Sequence, residues 1–333
     1  MNKVFCFGEL LLRMSPALNR EWINMAQLPV YVGGAELNTA TALSNWNIPA
    51  RYCTALPDNY LSHDITAYLQ ERKIDTSAIH FCGNRIGTYY LPPGADLKNA
   101  GVIYDRAYSS FSGLKPGMIN WDAVLEGCSW FHWSAISPAL NENTAAVCRE
   151  ALEAASAKKM IISVDLNFRS KLWQYGKQPA AVMSALLPYC HVVMGNIWAA
   201  EQLLNIESPI KESRHQSKEQ MTAAAGASMK ALHLAFPGVQ TMAYTFRLDE
   251  SYFAVLQHGA DMKVSTELPL ADVVDKAGSG DCFMGGLIYG LYHQHPAQDI
   301  INFAAAAATG KMKEKGDASR QTIESVLKIL QRA

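Results

Sequence analysis

The 333-residue sequence predicts an α/β fold with a mostly parallel sheet. Three observations carry this. Short β-type runs alternate with helical patterns along most of the chain. The helical segments are long enough to carry the chain from one parallel strand to the next, as βαβ units require. Only two stretches, about 10–32 and 85–112, break the alternation, and they read as a small accessory β-layer inserted into one domain spanning 1–333.

The elements follow in chain order. Val4 to Phe7 is a strand candidate that stops at Gly8. Gly33-Gly34-Ala35 precedes a helix over Glu36 to Trp46, where Leu37, Ala40, Thr41, Leu43 and Ser44 keep a helical period. Ala50 to Ala55 reads as the next strand, and Ser62 to Arg72 as a helix with Ser62 as N-cap. Gly87 to Leu91 and Val102 to Tyr104 have two-residue periodicity, with Pro92-Pro93-Gly94 as a turn. Trp130 to Trp133, Met160 to Val164 and His191 to Met194 are buried strand candidates, separated by helices over Asn143 to Ser156 and Pro179 to Leu187. Ser208 to Lys218 is a polar surface loop. The alanine block Phe303 to Thr309 reads as a close-packed helix, and Lys311 to Lys315 as a solvated helix face.

Composition is that of a globular protein: 49% hydrophobic, 18% charged, formal net charge -1. Nothing in that charge calls for a nucleic-acid or membrane partner. No apolar run approaches the ~18 residues of a membrane span, and the start is too short for a signal peptide. Seven scattered cysteines without a C-x-x-C pair point to a reduced, cytoplasmic protein without a structural zinc. The nine histidines form no H-x-x-x-H pair, so no metal ligands are assigned. Trp130, Trp133 and Trp173 read as core or pocket-wall residues.

The segment Asp275-Lys276-Ala277-Gly278-Ser279-Gly280-Asp281-Cys282-Phe283 is the most informative. Glycines let the backbone turn tightly and let an anion approach. The amides at a helix start then cradle negative charge. Asp281 stands among them, with two readings: a helix N-cap, or a general base beside a phosphoryl site. The spacing is neither that of a dinucleotide fingerprint nor that of a P-loop.

The same segment closely resembles the D-(T/S)-x-G-(A/S)-G-D-x-F signature of the PfkB/ribokinase carbohydrate kinases. Gly33 to Ala40 resembles that family's G-G-x-x-x-N-x-A signature, in the same order and at similar separation. The resemblance implies a ribokinase-like three-layer α/β/α core with a small β-lid, and ATP and Mg²⁺ as cofactors. It implies Asp281 as catalytic base, an anion hole from the amides of Ala277, Gly278, Ser279 and Gly280, and Gly34 and Asn38 in the sugar pocket. Asn196, with Gly278 and Gly280, would lie on the nucleotide side.

Asp165-Leu166-Asn167-Phe168-Arg169 follows a strand, where open α/β sheets place ligands. Arg169 from the core and Arg106 from the lid suit a carboxylate clamp, since the guanidinium fork matches two oxygens. Alternatively, Arg169 pairs with a phosphate or a structural carboxylate and Arg106 lies on the surface. The run Asp165 to Trp173, the lid residues Tyr104 and Arg106, and Gly8-Glu9 resemble the 2-keto-3-deoxygluconate kinases within the family. That implies contacts to an acid sugar from Tyr89, Tyr104, Arg106, Asn167 and Arg169.

The pattern also departs from the family. Ala199 stands where N-x-x-E would place a glutamate, Tyr244 to Asp249 lacks the glycines of T-x-G-x-x-G, and Pro57-Asp58 replaces Gly-Asp. The expected activity is ATP-dependent phosphorylation of the terminal hydroxyl of a sugar acid. The competing readings are a neutral-sugar kinase such as a fructokinase, and a non-catalytic sugar-binding regulator. Exposed apolar surface on the lid, expected through Tyr89, Tyr90, Leu91 and Ile103, points to a homo-oligomer built through the lid.

Overall fold

The computed structural model describes residues 2–18, 20–92, 101–213 and 215–332. The Pro93-Gly94 part of the expected turn lies outside them. In chain order the strands are β1 Lys3–Phe7, β2 Leu11–Met14, β3 Val30–Gly33, β4 Ala50–Cys53, β5 Ala55–Leu56, β6 His80–Phe81, β7 Gly87–Tyr90 and β8 Ile103–Asp105. They continue with β9 Cys128–Ser134, β10 Ile161–Asp165, β11 Val192–Gly195, β12 Thr241–Arg247, β13 Ser251–His258, β14 Asp261–Val264 and β15 Leu268–Pro269.

Nine strands form the central sheet in the order β14-β13-β12-β11-β10-β9-β1-β4, with β15 also on β13. From β4 to β12 every neighbouring pair is parallel, while β13 turns back antiparallel on β12. Side chains alternate between two cores. On β1, Phe5 and Phe7 enter one core while Val4 and Cys6 enter the other. The helices Glu142–Ala157, Pro179–Leu186, Ile197–Leu204 and Lys218–Ala235 pack on the first face. The helices Ala35–Asn45, Tyr60–Glu71, Ser279–Tyr292 and Ala297–Lys311 pack on the second, giving three layers. Among the described residues no helix is long and apolar enough to cross a membrane.

The alanine block has a packing reason. A Cβ on Gly286 would lie 2.7 Å from the Ala304 Cα, and one on Gly290 would lie 3.1 Å from the Ile300 Cα. Small residues on the two facing helices permit this close approach.

A second sheet of four strands runs β3-β2-β7-β8. Its register stacks residues in rows. Tyr31, Arg13, Tyr89 and Tyr104 form one row, and Val30, Met14, Tyr90 and Ile103 the next. Successive rows lie on opposite faces of the pleat, so the second row presents exposed Val30, Tyr90 and Ile103 on the outer face, whereas Tyr89 and Leu91, expected to be exposed with them, are buried.

Several sequence expectations need correction. The helix expected from Ser62 begins at Tyr60, and its N-cap is Asn59, which accepts from the Ser62 amide at 3.0 Å. No strand was expected over 250–270, yet β13 lies between β12 and β14 with Tyr252 to Leu256 buried. Lys311, read as part of a solvated face, is fully buried. Burial draws its ammonium pKa down, opposed by Asp275 and Glu314.

Candidate active site

Glycine is required twice where the site is assembled. Gly278 has φ of 76° and is the N-cap of the helix Ser279–Tyr292; a Cβ there would fall 1.8 Å from the Asp317 carbonyl oxygen. Gly34, with φ of 137°, is the N-cap of the helix Ala35–Asn45, and its Cβ would fall 2.4 Å from the Glu9 carbonyl oxygen. These two helix starts meet. Asn38 Nδ2, one turn into the first helix, donates to Asp281 Oδ2 in the second at 2.7 Å.

This geometry removes the capping role for Asp281. The N-cap position belongs to Gly278, and the Asp281 carboxylate bonds a different helix. Gly280, expected in the loop, is in the first helical turn, together with Asp281. Asp281 is only 9% exposed yet lines a cavity of about 670 Å³. Burial pushes its pKa up to about 6, against the stabilising pull of the Asn38 hydrogen bond and the Arg169 charge. The neighbouring Glu36 is also buried, and burial raises it to about 7 while Ser134 donates to it at 2.5 Å.

The same cavity is lined by Gly278, Ser279 and Gly280. The amides of Gly278 and Gly280 meet no acceptor among the described residues, and that of Ser279 makes only a long 3.4 Å contact to the Lys276 carbonyl. Nothing lies within 4 Å of where a Gly280 Cβ would stand. Ala277 departs from its expected role. It is buried away from the cavity, and its amide donates to Asp275 Oδ1 at 3.0 Å.

The remaining expected residues also line this cavity, and several already have internal partners. Asn167 and Arg169 follow the C-terminal end of β10, and Arg169 is half-buried with Nη1 on the Phe168 carbonyl. Asn196 caps the helix Ile197–Leu204 by accepting from the Ala199 amide at 2.9 Å. Tyr104 lies 6.3 Å from Tyr89, ring to ring, and the Tyr89 hydroxyl donates to Asp317 Oδ2 at 2.5 Å. Arg106 is neither on the surface nor unpaired. It is buried, with Nε 2.7 Å and Nη2 2.5 Å from Glu9 Oε2, and Ser109 donates to the other Glu9 oxygen.

Sequence reasoning missed other lining residues: Lys171, Trp198, Thr245, Arg247, Lys276 and Asp317. Lys276 sits inside the glycine signature where the pattern has Thr or Ser, and that substitution was the available signal. Arg247 ends β12, where the expected glycines are absent. Among the described residues no group of three or more His, Cys, Asp or Glu is placed to hold a metal.

Comparison with known proteins agrees with this architecture. The family model described as pfkB family carbohydrate kinase matches residues 1–323. A 2-dehydro-3-deoxygalactonokinase of Haloferax volcanii is 29% identical over 326 residues, covering 97% of this chain and 95% of the relative. The crystal structure of a 2-dehydro-3-deoxygluconokinase from Thermotoga maritima superposes with a TM-score of 0.88 at 30% identity, covering 99% of this chain and all of that one. An ATP-bound fructokinase from Xylella fastidiosa shares the ribokinase-like fold, with a TM-score of 0.77 at 19% identity over 100% of this chain and 99% of that one. With a family match along nearly its whole length and this fold, the chain belongs to the pfkB family of carbohydrate kinases.

Proposed function

We propose that the protein transfers the γ-phosphoryl group of MgATP to the terminal hydroxyl of 2-keto-3-deoxygluconate in the cytoplasm. One observation carries the chemistry. The Asp281 carboxylate, held by Asn38, shares a cavity with the helix-start amides of Gly278 and Gly280, which have no acceptor among the described residues. Asp281 accepts the proton of the sugar hydroxyl as that oxygen attacks phosphorus. The amides of Gly278, Ser279 and Gly280 take the developing charge, and the positive end of the helix Ser279–Tyr292 adds to their effect. A pKa near 6 leaves Asp281 ionised at neutral pH and more basic than an ordinary carboxylate. Mg²⁺ comes as part of MgATP, held chiefly by the phosphates, as is usual for this ion.

The acid-sugar assignment rests on cations at the sugar end. Arg169, Arg106 and Lys171 line the cavity with Tyr89, Tyr104, Asn167 and Gly34, and the two relatives of highest identity named above are kinases of 2-dehydro-3-deoxy sugar acids. A specific observation favours the second reading, a neutral-sugar kinase. Arg106 directs two of its nitrogens to Glu9, so one of the two arginines proposed as a carboxylate clamp already has an internal carboxylate. A coupled ATP-consumption assay across sugars decides between them. The acid-sugar reading expects preference for 2-keto-3-deoxygluconate and loss of that preference in Arg169→Glu. Equal or better turnover of fructose or ribose rejects it. The exposed row Val30, Tyr90 and Ile103 on the outer face of the lid supports a homo-oligomer built lid to lid.

A further inference from the structure

The inner row of the lid sheet reaches the glycine loop through buried charges. Arg13, 1% exposed, lies beneath the ring of Tyr31 at 4.5 Å. Its Nη2 and Nη1 contact Asp275 Oδ2 and Oδ1 at 2.5 and 3.2 Å. Its Nε lies 2.9 Å from Asp317 Oδ1, an ion-pair contact outside hydrogen-bond alignment. Tyr89, the register partner of Arg13 on the next lid strand, donates to the other Asp317 oxygen. Both aspartates in turn shape the loop. Asp275 accepts from the amides of Ala277 and Gly316, and the Asp317 carbonyl lies against Gly278.

Two carboxylates thus pack against the loop whose amides, on the reading above, receive a phosphoryl anion. Without a cation between them, their charge would oppose the ligand. Arginine suits the place because one planar fork meets two carboxylates at once, whereas lysine is a single point charge. Lys311 is a second buried cation whose charge reaches both aspartates, but its Nζ donates to the Glu314 carbonyl at 3.3 Å rather than to either carboxylate.

We propose that Arg13 is a positioning residue for phosphoryl transfer. It offsets the charge of Asp275 and Asp317 beside the glycine loop and, with Tyr89, locks that loop to the lid, so that the phosphate and sugar ends of the cavity keep one relative geometry. This rests on the reading of the Gly278–Gly280 amides as the phosphoryl site.

The test compares Arg13→Met, Arg13→Lys and the double variant Arg13→Met with Asp317→Asn, following ATP binding by calorimetry as well as kcat and both KM values. Arg13→Met is expected to weaken ATP binding by roughly tenfold or more and to lower kcat, with Arg13→Lys between it and the parent. The double variant, which removes one of the uncompensated charges, is expected to recover part of the ATP affinity. A purely structural role would make it no better than Arg13→Met, and that result overturns the proposal, as does a folded Arg13→Met with parental ATP affinity and kcat. If Arg13→Met does not fold, Tyr89→Phe serves instead, since it leaves no unpaired charge. Weaker ATP binding in Tyr89→Phe supports the lock, and an effect confined to the sugar KM overturns it. Failure of the parent protein to phosphorylate any sugar while still binding ATP counts against the proposed function, and the calorimetric comparison still decides the role of Arg13.

Discussion

Replacing Asp281 with asparagine should make the protein more stable at alkaline pH while disabling it. Burial raises this carboxyl from 3.8 to about 6, so the folded state binds its proton more tightly than the unfolded chain does. As pH rises from about 4 to about 6, the unfolded state loses the proton first and stability falls. Above that window both states are ionised and the full cost persists. At about 1.4 kcal/mol for each decade of proton affinity, the cost is on the order of 3 kcal/mol. The amide of Asp281→Asn is nearly isosteric, and its carbonyl can still accept from Asn38. It also removes a negative charge that helps hold the Glu36 carboxyl up. Urea denaturation midpoints at about pH 8 should therefore be higher for Asp281→Asn than for the parent, and the gap should close as pH falls toward about 4. A variant of equal or lower stability at alkaline pH would refute the claim that this carboxylate is held ionised at a cost, as a functional group would be.

Three further outcomes follow from the site. Turnover at limiting substrate should rise with pH through about 6 and then level, because the base must be unprotonated; a flat profile across that range contradicts the role of Asp281. Gly278→Ala places a Cβ on the Asp317 backbone in a left-handed conformation, so the loop must shift; ATP binding measured by calorimetry should weaken by roughly tenfold or more, and unchanged affinity tells against the anion-hole reading. Arg106→Gln leaves Glu9 buried without its cation, so unfolding should become easier by about 3–5 kcal/mol, measured by denaturant titration; a change under about 1 kcal/mol contradicts a stabilising role for this buried pair.

What the sequence disclosed were local patterns and the two signatures; what it concealed were the partners that individual side chains and amides choose. The strand candidates β1, β9, β10 and β11 and the glycine loop were legible because period-2 runs, glycines and helix starts are local signals. The two signatures also bring Asn38 and Asp281 together, although 243 positions separate them. The Arg13 network was not legible. Its bonds to Asp275 span 262 positions, and nothing beside Arg13 marks it as buried. Lys311 to Lys315 looks like an ordinary charged helix end, yet the helix finishes inside the second core. Ala277 was assigned a free amide because its acceptor, Asp275, comes from the turn itself, two residues earlier. Arg106 was read from its chemistry as a ligand clamp; the buried Glu9 that it meets first comes from the connection between β1 and β2.

The most direct measurement is the phosphorylation rate of 2-keto-3-deoxygluconate by the parent and by Asp281→Asn, each saturated with MgATP and folded at the same pH. A loss of about 10² or more in kcat, with ATP affinity retained, is expected if this carboxylate removes the hydroxyl proton. A rate within a few fold of the parent would mean that the proton leaves by another route, and Asp281 would no longer be the base.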